Sequence, residues 1–155
     1  MKLVMRDATA QDSAELFEWR NEIGVREFSH NKEPISESDH TSWLFNRLNS
    51  LAREPFWVFE EELNKVGMVR FDFKPEFNYF TISILINPSL RGKGYGKIIL
   101  NKAIEKYLKS NPKANFHAEV HKDNVTSKLL FLDAGFQEMT VVNNFLIFKR
   151  ITNPN

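Results

Sequence analysis

The clearest pattern in the chain is an alternation of apolar and polar residues near its centre. Between positions 79 and 86 the even-numbered residues are Phe or Ile, so one face of a strand would be apolar throughout. Residues 56–59 and 66–73 have the same strand-forming composition, and the polar residues 61–65 between them indicate a turn. The pattern therefore predicts three consecutive antiparallel strands, the second of which has one apolar face formed by Val69, Phe71 and Phe73.

A helical spacing of apolar residues follows this region, at Ile99, Leu100, Ala103, Ile104, Tyr107 and Leu108. Asn111-Pro112 would end that helix, because proline cannot continue it. Two earlier helices would begin at Thr9 and Ser36, since a hydroxyl residue followed by an early acid is typical of a helix N-terminus. We expect the first of them to end near Gly24 and residues 25–35 to be irregular.

The remaining elements complete a mixed chain. A helix would begin at Asp123 or Asn124 and end at Gly135. Further strands are expected at residues 2–6, 116–120, 136–142 and 145–151. The order β-α-α-β-β-β-α-β-α-β-β predicts a single domain over residues 1–155 of the α/β (α+β) class. We expect a mixed, mostly antiparallel sheet of six to seven strands flanked by about four helices.

Composition and charge narrow the classes of function. The chain has 155 residues, of which 42% are hydrophobic, which is enough for a sizeable core. Its net charge of +1 gives no overall attraction to nucleic acid or to an anionic membrane. Cysteine is absent, which excludes disulfides and thiolate chemistry, and no apolar run is long enough to span a membrane. We therefore expect a cytoplasmic protein with no metal site.

Three glycines at alternate positions separate the third central strand from the helix that follows. Gly92, Gly94 and Gly96 let the backbone approach a ligand, and the first N–H groups of a helix bind anions. Arg91, Lys93 and Lys97 add positive charge, so the segment predicts a phosphate or diphosphate cradle. It is neither a nucleotide-hydrolase P-loop nor a dinucleotide fingerprint, because its glycine spacing fits neither motif.

The run Arg91-Gly92-Lys93-Gly94-Tyr95-Gly96 resembles the Arg/Gln-x-x-Gly-x-Gly/Ala signature of the GCN5-related N-acetyltransferases. A second match follows at the distance expected in that family, at Asn124, Ser127, Leu130 and Gly135-Phe136. The resemblance implies an acyltransferase that moves an acetyl group from acetyl-CoA to an amine.

In this family the glycine loop wraps the diphosphate of acetyl-CoA, and the pantetheine arm enters between two splayed strands. Asn124 would contact that arm, although it could equally serve as a helix cap. The resemblance thus implies a cofactor-binding set of Leu85, Ile86, Asn87, Arg91, Gly92, Lys93, Gly94, Tyr95, Gly96, Lys97, Asn124 and Ser127. It also implies a backbone oxyanion donor at a strand bulge near Leu85.

Acetyl transfer requires a base for the acceptor ammonium. Glu119 resembles the general base of the ribosomal-protein alanine acetyltransferases, but its strand face could equally be only solvated. His40 is a second candidate base. In this family a tyrosine usually acts as the general acid that protonates the leaving thiolate, and its position is Phe131 here. The proton would then come from water, Ser127, Tyr95 or Tyr79, or the thiolate would leave without an acid.

The N-terminal half, with Trp19-Arg20-Asn21 and His40-x-x-Trp43, resembles a subgroup that acetylates 4-amino sugars carried on nucleoside diphosphates. The substrate residues implied are Arg20, Asn21, Arg26, Arg47 and Ser83. The arginines could instead be surface residues and the two tryptophans core.

Two other functions remain open, a protein N-terminal acetyltransferase and an inactive CoA-binding module. The expected partner is a small-molecule amine, without nucleic acid or membrane. A homodimer could form through the edges of the C-terminal strands.

Overall fold

Seven strands form one sheet in the computed structural model, which describes residues 2–52 and 54–150. The strands are β1 (Leu3–Asp7), β2 (Phe56–Glu61), β3 (Asn64–Lys74), β4 (Tyr79–Ile86), β5 (Phe116–His121), β6 (Phe136–Val142) and β7 (Phe145–Arg150). Their order in the sheet is β1-β2-β3-β4-β5-β7-β6, and only the β4–β5 pair is parallel. The predicted fold class and the central meander are confirmed. Ile151, the predicted end of the last strand, lies outside the described residues.

The described residues form five helices rather than the four expected. They are α1 (Ser13–Asn21), α2 (Ile23–Arg26), α3 (Glu37–Leu48), α4 (Tyr95–Ser110) and α5 (Val125–Asp133). The first predicted helix is divided because Glu22 adopts an extended backbone with ψ 137°, which ends α1 before Gly24. The single turn α2 then occupies the start of the segment 25–35 that was expected to be irregular, and residues 27–35 are irregular as predicted.

The sheet separates two apolar cores. On one face α4 and α5 cover alternate strand residues, with Phe71, Ile82 and Phe116 fully or almost fully buried. On the other face α1 and α3 cover a smaller core that includes Trp19 and Met68. Because successive strand residues point to opposite faces, the odd-numbered residues of β4 and β5 face the α1–α3 side. That side carries the polar residues of the site described below.

Candidate active site

Strands β4 and β5 separate soon after they pair. Their ladder contains only Phe80–Phe116 and Thr81–His117, whereas both strands continue for at least four more residues. The chain therefore has the gap between diverging strands that the resemblance implied. It opens toward the carboxyl ends of both strands, where the glycine loop begins.

The backbone of β4 presents donors to this gap. Phe80 donates its N–H to Asn115 on the β5 side, and Asn87 donates to Val66 on the β3 side. Alternation between these two directions turns the N–H groups of Ile84 and Ile86 toward the gap.

The expected bulge near Leu85 is absent. The β3–β4 register runs unbroken from Gly67–Ile86 to Lys74–Tyr79, so the Leu85 N–H belongs to the ladder with β3. A backbone donor for an oxyanion would therefore come from Ile84 or Ile86 and not from Leu85. The prediction failed because a bulge depends on the pairing of two strands, which the sequence of one strand does not reveal.

The glycine loop is shaped as an open cradle. Gly92 and Gly94 have φ of 76° and 84°, a conformation that favours glycine. A Cβ built on either residue meets no atom within 4 Å among the described residues, so the space in front of them is open. Gly94 directly precedes α4, whose first N–H groups have no intrahelical acceptor and suit an anion.

Acidic side chains pair with two of the three cations of this loop. Arg91 forms an ion pair with Glu22, at the junction of α1 and α2, and Lys97 Nζ lies 2.8 Å from Asp133. Lys93 is exposed. The nearby Tyr95 hydroxyl donates to Glu61, and this hydrogen bond raises the pKa of Tyr95. A diphosphate in the cradle could bind Lys93 directly. Arg91 and Lys97 would bind it by leaving the carboxylates of Glu22 and Asp133.

The predicted cofactor contacts outside the loop have bonds within the fold. Asn87 donates from Nδ2 to the Lys65 carbonyl at 2.9 Å, and its Oδ1 accepts from Ser89. Asn124 accepts from the Ser127 N–H at 3.2 Å and so caps α5. The cap interpretation of Asn124 is therefore supported.

A row of polar side chains crosses the gap on the α1–α3 face. Arg70 on β3 pairs with Ser83 on β4, and Glu119 on β5 lies two residues beyond the Thr81–His117 pair, as Ser83 does. Ser83 and Glu119 therefore flank the gap from opposite strands. The structure places these two predicted residues on the same face of the sheet at opposite edges of the gap, and it adds Arg70, which the sequence did not single out.

Glu119 has a partner that the sequence did not suggest. The Nε2 atom of His30, in the irregular segment 27–36, lies 3.0 Å from Glu119 Oε2 in a hydrogen bond, and the His30 ring stacks on Phe145 at a centroid distance of 3.7 Å. The two residues are 89 positions apart. The stretch around His30 has no periodicity, so no sequence signal could have joined them.

His40, the other candidate base, is enclosed. It is 1% exposed, and its ring lies between Phe17 and Trp43. Nδ1 accepts from Arg20 at 3.0 Å, so the ring proton is on Nε2, which donates to the Ser13 carbonyl at 3.1 Å. Burial, and then the charge of Arg20, lower the pKa of His40. This arrangement favours a role in orienting Arg20 over proton transfer.

Arg20 and Arg70 approach the same indole. Their guanidinium carbons lie 4.2 Å and 5.1 Å from the Trp43 ring centroid. Burial, and then the charge of Arg70, lower the pKa of Arg20 to about 10. Since two cations already occupy the surroundings of Trp43, its ring is not a free platform for a nucleobase. Trp19, by contrast, lies in the core, as the alternative interpretation proposed.

The other three predicted substrate residues are engaged elsewhere. Asn21 exchanges hydrogen bonds of 2.8 Å and 2.7 Å with the backbone of Ile35, and Arg26 donates to the carbonyls of Asn21 and Lys32. Arg47 has a side chain only 9% exposed, and it forms an ion pair with Asp72 at 3.2 Å. Asn21 and Arg26 thus hold the segment that carries His30, and Arg47 supports the fold beside Arg70.

Phe131, at the position of the family's acidic tyrosine, is 3% exposed and packs edge-on against Phe136. Tyr79, one of the alternative donors, stacks flat on His117 at 3.6 Å. Within residues 2–52 and 54–150, no three side chains of the metal-binding types cluster. No helix in those same ranges has the length and apolar character needed to cross a membrane.

Comparisons with known proteins agree with this geometry. The model of the acetyltransferase (GNAT) domain matches residues 2–137. A domain from Methanocaldococcus jannaschii is 28% identical, with a TM-score of 0.80, 96% of this chain and 97% of that chain covered. A comparison with curated proteins gives no significant match.

Two less similar structures share the fold. A putative acetyltransferase from Salmonella typhimurium with its cofactor acetyl-CoA is 19% identical, with a TM-score of 0.78 and coverage of 99% and 95%. A ribosomal-protein-alanine N-acetyltransferase from Brucella melitensis is 22% identical, with a TM-score of 0.77 and coverage of 96% and 99%.

The family match confirms the predicted enzyme class, an N-acetyltransferase dependent on acetyl-CoA. The chain belongs to the GNAT acetyltransferase family.

Proposed function

We propose that this enzyme acetylates the amino group of a nucleotide-linked amino sugar. The observation that carries the proposal is the polar row Arg70–Ser83–Glu119 at the strand gap. Beside it lies the guanidinium of Arg20, which forms no ion pair with an acid within residues 2–52 and 54–150. The row offers a base on one side of the gap and positive charge on the other. An acceptor with an amine at one end and a diphosphate at the other fits both.

The residues at the gap fit acetyl-CoA. Bound there, this donor supplies an activated acetyl group as a thioester. The open glycine cradle and the first N–H groups of α4 would hold its diphosphate. The N–H groups of Ile84 and Ile86 face the gap and can bond to the pantetheine arm or to the thioester oxygen.

Glu119 is the base that the geometry favours. Its side chain is 47% exposed at the edge of the gap, where an incoming ammonium can reach it, whereas His40 is enclosed. After the ammonium gives one proton to Glu119, the nitrogen attacks the thioester carbonyl and still has a second proton to lose. That proton can pass to the departing thiolate, so the absence of a hydroxyl at Phe131 does not prevent the reaction.

Charge around Arg20 supports an anionic acceptor. Asp72 forms ion pairs with both Arg47 and Arg70, whereas Arg20 has no ion pair with an acid among the described residues. Neighbouring strands lie about 4.8 Å apart, so an anion near Arg70 would sit roughly 5–10 Å from an amine at the far edge of Ser83. That span suits an amino sugar whose phosphate lies across the ring from its amine.

The second candidate acceptor is a protein N-terminus, which the exposed carboxylate of Glu119 favours. The positive charge of Arg20 opposes it, because a peptide ammonium brings no diphosphate to offset the repulsion, whereas a nucleotide-linked amino sugar does.

Turnover of three acceptors would decide between these functions. We would compare a UDP-linked 4-amino sugar, the same amino sugar without its nucleotide, and a panel of N-terminal peptides, following thiol release with acetyl-CoA. The proposal expects the UDP-linked acceptor to have the highest kcat/KM. Turnover of the peptides alone would exclude it, and CoA binding by calorimetry without release on any amine would indicate an inactive CoA-binding module.

A further inference from the structure

Two contacts within the fold hold the His30 side chain in place. Its Nε2 lies 3.0 Å from Glu119 Oε2, and its ring stacks on Phe145 with an interplanar angle of 16°. Phe145 is itself buried at the start of β7, so the imidazole rests on a fixed surface. A hydrogen bond and a ring contact together restrict both the position and the rotation of the side chain.

The segment that carries His30 is fixed at both ends. Arg26 donates from Nε to the Asn21 carbonyl at 2.9 Å, and Asn21 bonds twice to the backbone of Ile35. These contacts close residues 21–35 into one loop over the α1–α3 face of the sheet. His30 is therefore delivered to Glu119 by a braced loop, even though its own residues form no helix or strand.

Both members of the pair reach water. The His30 side chain is 62% exposed and that of Glu119 is 47% exposed. Imidazole titrates near neutral pH and carboxylates well below it, so a histidine next to a carboxylate base can take a proton that the carboxylate alone would hold only briefly. From His30 the proton can leave directly to solvent.

We propose that His30 is a positioning residue for Glu119 and receives the proton that Glu119 removes from the acceptor ammonium. This inference rests on the proposed acetyl transfer. One N–H bond of the ammonium breaks, and its proton goes to Glu119. His30, in the tautomer whose ring proton is on Nδ1, takes up that proton at Nε2 and becomes imidazolium. The neutral amine then forms the new C–N bond as the C–S bond breaks, and the second nitrogen proton goes to the thiolate. His30 returns to its neutral form by releasing its proton to water.

The charged and titratable groups around the pair are few. On the same face of the sheet, β5 carries His117 and His121, and β7 carries Lys149. Burial, and then the charge of Lys149, lower the pKa of His117, while Glu119 raises it. The loop itself contributes Glu27, Lys32 and Glu33, all exposed. His117 is therefore the other histidine whose NMR resonances must be distinguished from those of His30.

Two replacements at position 30 separate the possible roles. His30→Gln keeps a donor for Glu119 but cannot take up a proton, and His30→Phe keeps the stack on Phe145 without the donor. Lys32→Gln is the control, since it changes an exposed side chain of the same loop. For each variant we would measure kcat, KM for the acceptor and the pH dependence of kcat. We would also follow the imidazole resonances of the protein without acceptor or acetyl-CoA by NMR.

We expect both His30 variants to lose about tenfold or more in kcat with little change in KM. The pH dependence of kcat should change in both variants, and Lys32→Gln should behave as the wild type. In the NMR spectra, Glu119→Gln should move the Nε2 resonance of one histidine, and that resonance should be missing in His30→Gln.

Wild-type kcat and pH dependence in His30→Gln would overturn the inference, as would a His30 Nε2 resonance that Glu119→Gln leaves unchanged. These results differ from a failure of the proposed function, in which the wild-type enzyme does not acetylate the UDP-linked acceptor at all.

Discussion

Arg20 donates a hydrogen bond of 3.0 Å to Nδ1 of His40, and this bond requires the histidine to be neutral. The ring is buried and its other nitrogen donates to the Ser13 carbonyl. A proton added to Nδ1 would remove the bond to Arg20 and place two cations side by side. The pair therefore links the acidity of the solution to the stability of the fold.

Stability should decrease in mild acid because of His40. Its pKa is lowered in the folded state, so the unfolded chain binds more protons as the pH falls through about 6.5, the ordinary value for histidine. The free energy of unfolding should fall there, at most about 1.4 kcal/mol per pH unit from this residue. Urea unfolding at several pH values would measure it. His40→Gln should have a weaker pH dependence, and an unaltered slope in that variant would contradict the prediction.

Glu119→Gln should reduce kcat by about 10²–10⁴-fold, because the amide cannot accept the ammonium proton. The affinity for CoA, measured by calorimetry, should not change, since Glu119 lies on β5 and the cradle precedes α4. An unchanged pH–rate profile in this variant would remove Glu119 from the list of bases.

Arg20→Gln should raise KM for a UDP-linked acceptor about 10–100-fold, the loss expected for a charged hydrogen bond. The same variant should treat an amine acceptor without phosphate as the wild type does. Lys109→Gln is the matched control, because Lys109 is exposed near the far end of α4. An equal loss with both acceptors would show that Arg20 acts through the fold and not through an anion.

Gly94→Ala should weaken CoA binding. The added Cβ meets no atom of the described chain, so it would project into the cradle, and φ of 84° would cost about 1–2 kcal/mol in a residue other than glycine. Calorimetry with CoA and thermal unfolding would separate these effects. Gly67→Ala is the contrasting variant, because its Cβ would lie 2.5 Å from the Leu85 carbonyl oxygen and should damage stability first.

A homodimer remains a prediction. Strand β6 lies at the edge of the sheet, and Met139, Val141 and Val142 on it are half exposed. Pairing of two such edges would give a dimer by light scattering, and Val141→Lys should dissociate it. A monomeric wild-type protein at tens of micromolar would exclude this interface.

The parts of the site that depend on local sequence could be predicted. Gly92 and Gly94 are residues that favour positive φ, so the sequence indicates their backbone conformation. The position of the cradle follows from the strand before them and the amphipathic helix after them. The strand periods likewise predicted the central meander, and the helical period predicted the helix after the cradle. In each case the information lies within a few residues of the feature.

Features made by distant segments could not be predicted in the same way. The contact of His30 with Glu119 joins an irregular loop to a strand, and no spacing rule relates them. Asn21 and Arg26 looked like substrate residues because polar side chains near a predicted site are ambiguous, yet their bonds close the loop. The regular register at Leu85 depends on β3 as much as on β4.

The ion pair between Arg91 and Glu22 joins the glycine cradle to the end of α1, two residues from Arg20. A diphosphate that draws Arg91 away would leave Glu22 without its counterion and alter the field in which an acceptor anion binds. Occupancy of one pocket would then change affinity at the other, and thermodynamic reciprocity requires the same factor in both directions. The apparent dissociation constant of the acceptor would therefore depend on whether CoA is bound, and that of CoA on whether the acceptor is bound.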